Sequence, residues 1–181
     1  MRIGLISDTH VSSATQEFHP QVAASFQGID LILHAGDVYI WEVLDRLEEI
    51  APVLAARGNG DWRLGDRYSS RRDSRLRENH VISVEDVKIG LVHYMPFPGD
   101  SRWSSIQGLM EQKFGCWVDV VVCGDTHEAV VTTEDGVLLV NPGWPWGAMG
   151  SVGILEVSRG KAEARLIGFK EVSDYAVGSA D

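Results

Sequence analysis

Two cysteines in 181 residues, Cys116 and Cys123, are too few for a disulfide framework. Cys123 lies inside an apolar run, where a free, buried thiol is expected. Positive charge is also scarce: 16 Lys and Arg stand against 26 Asp and Glu, a formal net charge of −10. That balance argues against non-specific nucleic-acid binding, which needs a basic surface to neutralise phosphates. A small phosphorylated substrate stays compatible with it, because bound metal ions then supply the local positive field. No apolar run is long enough for the core of a signal peptide or a membrane span, and Met1-Arg2 leads directly into a strand. The expectation is a cytoplasmic protein away from the membrane, with one domain over residues 1–170. A disordered tail is expected over residues 171–181, where apolar residues thin out.

What the chain has instead is a series of short apolar runs, each followed by residues able to bind metal. Ile3 to Ile6 reads as a buried strand, with Asp8 and His10 immediately after it. In extended backbone, residues two apart point the same way, so this carboxylate and imidazole are expected to converge. An oxygen and a nitrogen aimed together suit a divalent metal. The same tripeptide returns as Asp125-Thr126-His127, after the apolar run Val118 to Cys123.

Between these two copies the chain alternates. A helix is expected over His19 to Phe26, then a strand over Ile29 to Leu33 that ends in His34-Ala35-Gly36-Asp37. An amphipathic helix over Trp41 to Ile50 is stopped by Pro52, and a strand over Val53 to Ala56 ends in Arg57-Gly58-Asn59-Gly60-Asp61. Such alternation builds a parallel sheet covered by helices, with ligands beyond the carboxyl ends of the strands. Asp8, His10, Asp37 and Asn59 all fall there.

The stretch Trp62 to Glu78 is polar and carries Arg63, Arg67, Arg71, Arg72, Arg75 and Arg77. It reads first as a solvated helix or loop, and second as an anion-attracting rim. A hairpin over Val81 to Val84 and Lys88 to Val92 ends in His93, and a helix is expected over Arg102 to Phe114. Ala129 to Thr133, Gly136 to Val140, Val152 to Val157 and Ala162 to Ile167 alternate as antiparallel strands around turns at Asp135-Gly136 and Arg159-Gly160. The expected fold is α/β (α+β): a four-layer β-sandwich of two mixed sheets flanked by helices. His34 is expected in the core or supporting the site, and His19 and His80 at the surface. Trp62, Trp103, Trp144 and Trp146 either wall the pocket or cap the core and a subunit interface, the latter in a homo-oligomer.

Asp8, His10, Asp37, Asn59, His93, Asp125 and His127 together suffice for two metal ions sharing a carboxylate. Two ions ~3.5–4 Å apart are the standard device for hydrolysing phosphate esters, through a bridging hydroxide that attacks phosphorus in line. In order and spacing, Ser7-Asp8-Thr9-His10, His34-Ala35-Gly36-Asp37, Arg57-Gly58-Asn59-Gly60-Asp61, Leu91-Val92-His93, Gly124-Asp125-Thr126-His127 and Asn141-Pro142-Gly143 resemble the calcineurin-like metallophosphoesterases. The nearest branch is the small single-domain one of prokaryotic phosphodiesterases and a retromer subunit, and the resemblance runs from Met1 to about Leu155.

The resemblance implies that Asp8, His10 and His127 hold one metal, that Asn59 and His93 hold the other, and that Asp37 bridges them. It makes Asp37, Asn59 and His93 the catalytic set and Asn141-Pro142-Gly143 a supporting turn, and it implies action on phosphodiesters. Asp125 stands where the family usually has His. An added carboxylate tilts preference toward Mn²⁺, Fe or Mg²⁺ over Zn²⁺, with Ni²⁺ a further candidate. Gly60 stands where the family often has a His or Cys, and a missing general acid costs ~10²–10⁴-fold. Arg57 and Asp61 are expected to orient the loop or contact substrate. The alternative is a catalytically impaired metal-binding scaffold for protein interaction, the use to which the retromer subunit puts this fold.

Overall fold

Apolar residues at every second position decide which face each strand buries, and here they build two sheets packed face to face. The structure, a computed structural model, describes residues 1–64 and 73–169, apart from the side chains of 62–64. In chain order the elements are β1 (Arg2–Ile6), α1 (Pro20–Ser25), β2 (Leu31–His34), α2 (Trp41–Glu48) and β3 (Val53–Ala56). A 3-10 turn (Asn59–Leu64), β4 (Leu76–Arg77), β5 (Asn79–Val84), β6 (Val87–Val92) and α3 (Ile106–Phe114) come next. The chain then runs through β7 (Val120–Val122), β8 (Val130–Glu134), β9 (Val137–Asn141), β10 (Ser151–Ser158) and β11 (Lys161–Gly168). One sheet has six strands ordered β11-β10-β1-β2-β3-β4, and the other has five ordered β5-β6-β7-β9-β8. Parallel and antiparallel pairs occur in both, so both are mixed.

The strand period sorts the side chains into layers. Ile6 and Ile32 pack under α1 and α2 with Phe26, Leu44 and Leu47. Their neighbours Ile3, Leu5 and Leu33 point the other way, against Ile89, Leu91, Val120 and Val122 of the second sheet. On the far side of that sheet, Val121 and Leu139 pack under Leu109 and Met110 of α3. The order is helix, sheet, sheet, helix, as the alternation implied. Because β1, β2 and β3 run parallel, as do β6 and β7, the strand ends that carry the polar motifs collect at one end of the sandwich.

Several sequence expectations shift. The third helix begins at Ile106 rather than Arg102, because Ser105 caps it by accepting the Gly108 N–H at 3.1 Å. Leu76 and Arg77 form a short parallel strand beside β3 within the arginine-rich stretch. Arg75 there is pinned by Asp73, Asp45 and Glu48 at 2.6–2.7 Å. The rim expected from Arg67, Arg71 and Arg72, the side chains of Trp62 and Arg63, and the tail over 171–181 lie outside the described residues. His80 is buried, not at the surface: it sits on the inward face of β5 and donates Nε2–H to the Ala55 carbonyl at 2.9 Å. His19 caps α1 through Nδ1 and stacks on Phe169 with ring centroids 4.5 Å apart. Cys123 is buried and unpaired, and burial pushes its thiol pKa up. Among the described residues no helix is long and apolar enough to cross a membrane.

Candidate metal centre

The carboxyl ends of β1, β2 and β3 deliver Asp8 with His10, Asp37 and Asn59, while β6 and β7 deliver His93 and Asp125 with His127. Asp8 and His10 do not converge from extended backbone, as alternation along a strand had implied. Both are left-handed, with φ 53° and 47°, and so are Asp37 at 58°, Asp125 at 71° and His127 at 60°. Such conformations are uncommon outside glycine and cluster at functional sites. The strand has already ended at Ile6, and the loop is held by Asp8 N–H to the Gly36 carbonyl at 2.9 Å and His10 N–H to the Asp37 carbonyl at 3.0 Å.

These turns bring the seven expected side chains together. His127 Nε2 lies 3.5 Å and His10 Nε2 3.8 Å from Asp8 Oδ1. Asp37 faces His10 Nε2 with Oδ2 at 3.0 Å and His93 Nε2 with Oδ1 at 3.6 Å. Asn59 Oδ1 is 2.8 Å and Asp125 Oδ1 3.4 Å from His93 Nε2. Two triads have ligand atoms within 4.8 Å of one another: Asp8, His10 and His127, and Asp8, Asp37 and His93. Asp8 is thus common to both, and Asp37 spans between His10 and His93.

Two observations test whether metal ions fit here. Asp8 Oδ1 is buried and accepts no hydrogen bond, a costly arrangement for a carboxylate unless a cation compensates it. Burial pushes the Asp8 carboxyl up to about 6, against the opposing pull of His93 and the Ser7 hydrogen bond. The second observation concerns His93. Its Nδ1 donates to the Ala35 carbonyl at 2.7 Å, which leaves Nε2 to face oxygens of Asn59, Asp37 and Asp125. A cation among them relieves that crowding of acceptors, and a histidine with its other nitrogen so committed is oriented as metal ligands are. The residues fit divalent cations, and the two clusters point to a dinuclear site.

The remaining expected residues support the loops. Asp61 is fully buried; its Oδ2 accepts from Gly58 N–H at 2.7 Å and Asp37 N–H at 3.1 Å, and its Oδ1 from Tyr39 N–H at 2.8 Å. Of the two roles expected for Asp61, holding the loop is the one this geometry serves. Arg57 pairs with Glu78 at 3.1 Å and lines the cleft beside Asn59 and His93. His34 accepts from Gly36 N–H on Nδ1 at 3.2 Å, so its Nε2–H donates to Thr9 Oγ1 at 3.0 Å. Burial and the neighbouring histidines lower its pKa to about 3, so it is neutral and anchors the residue between Asp8 and His10. Asn141 Nδ2 donates at 3.0 Å to both the Gly124 carbonyl and Thr126 Oγ1, bracing the second Asp-Thr-His.

Two further residues support the site: Trp146, marked in the sequence only as one of the tryptophans near the motifs, and Tyr39, which carried no signal there. Trp146 Nε1–H donates to the Thr9 carbonyl at 2.7 Å, tying the first Asp-Thr-His to the loop after β9. Tyr39 stacks on His10 with ring centroids 4.7 Å apart and an interplanar angle of 5°. A Cβ at position 60 would collide with its ring, so Gly60 is required by Tyr39. The absent side chain at position 60 was the available hint that a large neighbour takes its room. Of the other tryptophans, Trp144 is exposed and 5.3 Å from the His127 ring, while Trp103 packs under α3.

Fold and clusters together define a metal-binding, hydrolase-like domain. The model of the calcineurin-like phosphoesterase superfamily domain matches residues 1–160, and the chain belongs to that superfamily. It is 34% identical over 146 residues to a probable metallophosphoesterase of Methanocaldococcus jannaschii, covering 80% of this chain and 68% of that one. It is 32% identical over 171 residues to a probable metallophosphoesterase of Methanothermobacter thermautotrophicus, covering 92% of each. Among solved structures, zinc-complexed Vps29 of Entamoeba histolytica shares the fold, with TM-score 0.63 and 22% identity over 93% of this chain and 99% of that one.

Proposed function

We propose that the protein is a divalent-metal-dependent phosphodiesterase. The observation that carries this reading is the buried, uncompensated Asp8 Oδ1 beside His10 and His127, next to a second cluster around His93. Asp8, His10 and His127 would hold one cation and Asn59 and His93 the other, with Asp37 shared and Asp125 beside His93. Divalent cations bound there supply charge neutralisation at the phosphoryl oxygens and a water acidified for attack on phosphorus. Oxygen donors outnumber nitrogens in this set, which favours Mn²⁺, then Fe, Mg²⁺ or Ni²⁺, over Zn²⁺.

The protein's own groups place these parts. The Ala35 carbonyl fixes the ring of His93, Tyr39 fixes that of His10, and Asp61 holds the backbone of Asp37 and Gly58. Gly60 offers no group to protonate a departing alkoxide, so substrates with good leaving groups react fastest.

A second reading, a metal-binding scaffold without turnover, is favoured by two particulars: Gly60 and the Asp125 carboxylate where the family usually has an imidazole. Hydrolysis of a chromogenic phosphodiester against the matching monoester, with Mn²⁺, Fe²⁺, Ni²⁺ or Mg²⁺, separates the two. Metal-dependent diester turnover supports the enzyme; metal binding without turnover of either ester supports the scaffold.

A further inference from the structure

Two clefts of opposite chemistry adjoin the motif segments, and His93 lines the first. The first, about 310 Å³, is lined by Asn59 and His93 together with Arg57, Glu78, Tyr94 and Lys113. Arg57 is compensated by Glu78 at 3.1 Å. Lys113 pairs with no carboxylate among the described residues, and its Nζ lies 5.5 Å from the Tyr94 ring centroid. In a chain of net charge −10, an ammonium with no carboxylate partner among the described residues, beside the candidate ligands, is a local reversal of sign.

The second cleft, about 410 Å³, is lined by Met95, Phe97, Pro98, Asp100, Thr126 and Glu128 among others. Thr126, which lines it, lies between Asp125 and His127 in the chain. Asp100 is neutralised by Arg102 at 3.0 Å and accepts the Tyr94 hydroxyl at 2.8 Å. Glu128 pairs with no cation among the described residues. The surface is therefore apolar with one uncompensated negative charge, which welcomes an aromatic or aliphatic group and repels an anion.

We infer that the substrate is an unsymmetrical phosphodiester: one substituent carries a further phosphate and lies in the Arg57–Lys113 cleft, and the other is uncharged and largely apolar and lies against Met95 and Phe97. This rests on the phosphodiesterase reading above and adds the class of substrate. Water adds to phosphorus, and the bond to the apolar substituent's oxygen breaks. That oxygen leaves with the electron pair and takes a proton from solvent, while the attacking water gives up one proton to solvent and keeps the other on the new phosphate oxygen. The product keeps both phosphates on one alcohol.

The test compares ethyl p-nitrophenyl phosphate with 2-phosphoethyl p-nitrophenyl phosphate on the manganese-loaded protein. The wild type favours the second by roughly tenfold, chiefly through KM, as one charge-assisted contact provides. The preference falls with rising salt. Lys113→Glu abolishes the preference and Lys113→Arg keeps it. Equal turnover of the two diesters by the wild type overturns the cleft assignment and leaves the phosphodiesterase reading intact. If neither diester is hydrolysed, that reading falls and calorimetric binding of the same two compounds decides the cleft. Tighter binding of the phosphate-bearing diester, lost in Lys113→Glu, supports it, and equal binding overturns it.

Discussion

The ring of Tyr39 fills the space that a side chain at position 60 would need, and the same ring lies flat on His10, centroids 4.7 Å apart. Tyr39 itself is left-handed, φ 73°, and Asp61 holds its N–H at 2.8 Å. The residue missing from the motif at Gly60 is thus coupled through Tyr39 to a candidate metal ligand.

Gly60→Ala is therefore expected to push Tyr39 off His10 and weaken Mn²⁺ binding by about tenfold, the scale on which groups that orient ligands act. Tyr39→Ala has the same effect, and the double variant is no worse than either single one. Tyr39→Phe keeps the stack and the affinity. Calorimetric titration with Mn²⁺ measures all four, and simple additivity of the two alanine variants contradicts the coupling.

Asp8 sets a pH dependence in the metal-free protein. Its carboxyl is raised from 3.8 to about 6 by burial, so the folded chain holds a proton that the unfolded chain has released. The corresponding stability is complete below pH 4 and lost as pH rises through 6, a loss of roughly 3 kcal/mol. Urea unfolding of the metal-free proteins is expected to show the wild type losing stability relative to Asp8→Asn over that range. With Mn²⁺ at pH 7 the order reverses and the wild type is the more stable, because the cation then compensates the carboxylate. A wild type and an Asp8→Asn variant whose metal-free stabilities change alike between pH 4 and pH 6 contradict this.

Asp61 accepts backbone N–H groups from Gly58, Asp37 and Tyr39 in a fully buried position. Asp61→Ala leaves them unpaired and is expected to cost about 3 kcal/mol. Asp61→Asn, which keeps an acceptor oxygen, costs less. The shift in denaturant midpoint at constant slope measures both, and a neutral Asp61→Ala shows that the loops do not depend on it.

The fold and the candidate site differ in how they were written into the chain. Apolar runs such as Ile3 to Ile6 and Val53 to Ala56, each leading into Asp, His or Asn, announced a layered sheet with its polar residues at one end. The loops beyond the strand ends were not legible in that way. Asp8 and His10 are brought to the centre by left-handed turns held from Gly36 and Asp37, contacts made across 28 and 27 positions of sequence that no local pattern encodes. His80 looked like a surface residue because the strand carrying it begins earlier than its apolar core does. Tyr39 and Trp146 act through packing and a single hydrogen bond, and nothing in their spacing marks them. The role of Asp61 was visible as a motif position, and only its burial separates holding a loop from touching a ligand.

In the proposed function, the paired clusters around Asp8 and His93 hold two divalent cations that enable diester hydrolysis. Metal content and turnover measured on the same preparation test it most directly. Metal-free protein is titrated with Mn²⁺ beside an Asp37→Ala variant checked for folding by its circular dichroism. About two ions are expected to bind per chain, as dinuclear phosphoesterase sites hold. Diester hydrolysis is expected to rise with occupancy and to be lost in Asp37→Ala. Full occupancy without turnover, or turnover that persists in metal-free protein, contradicts it.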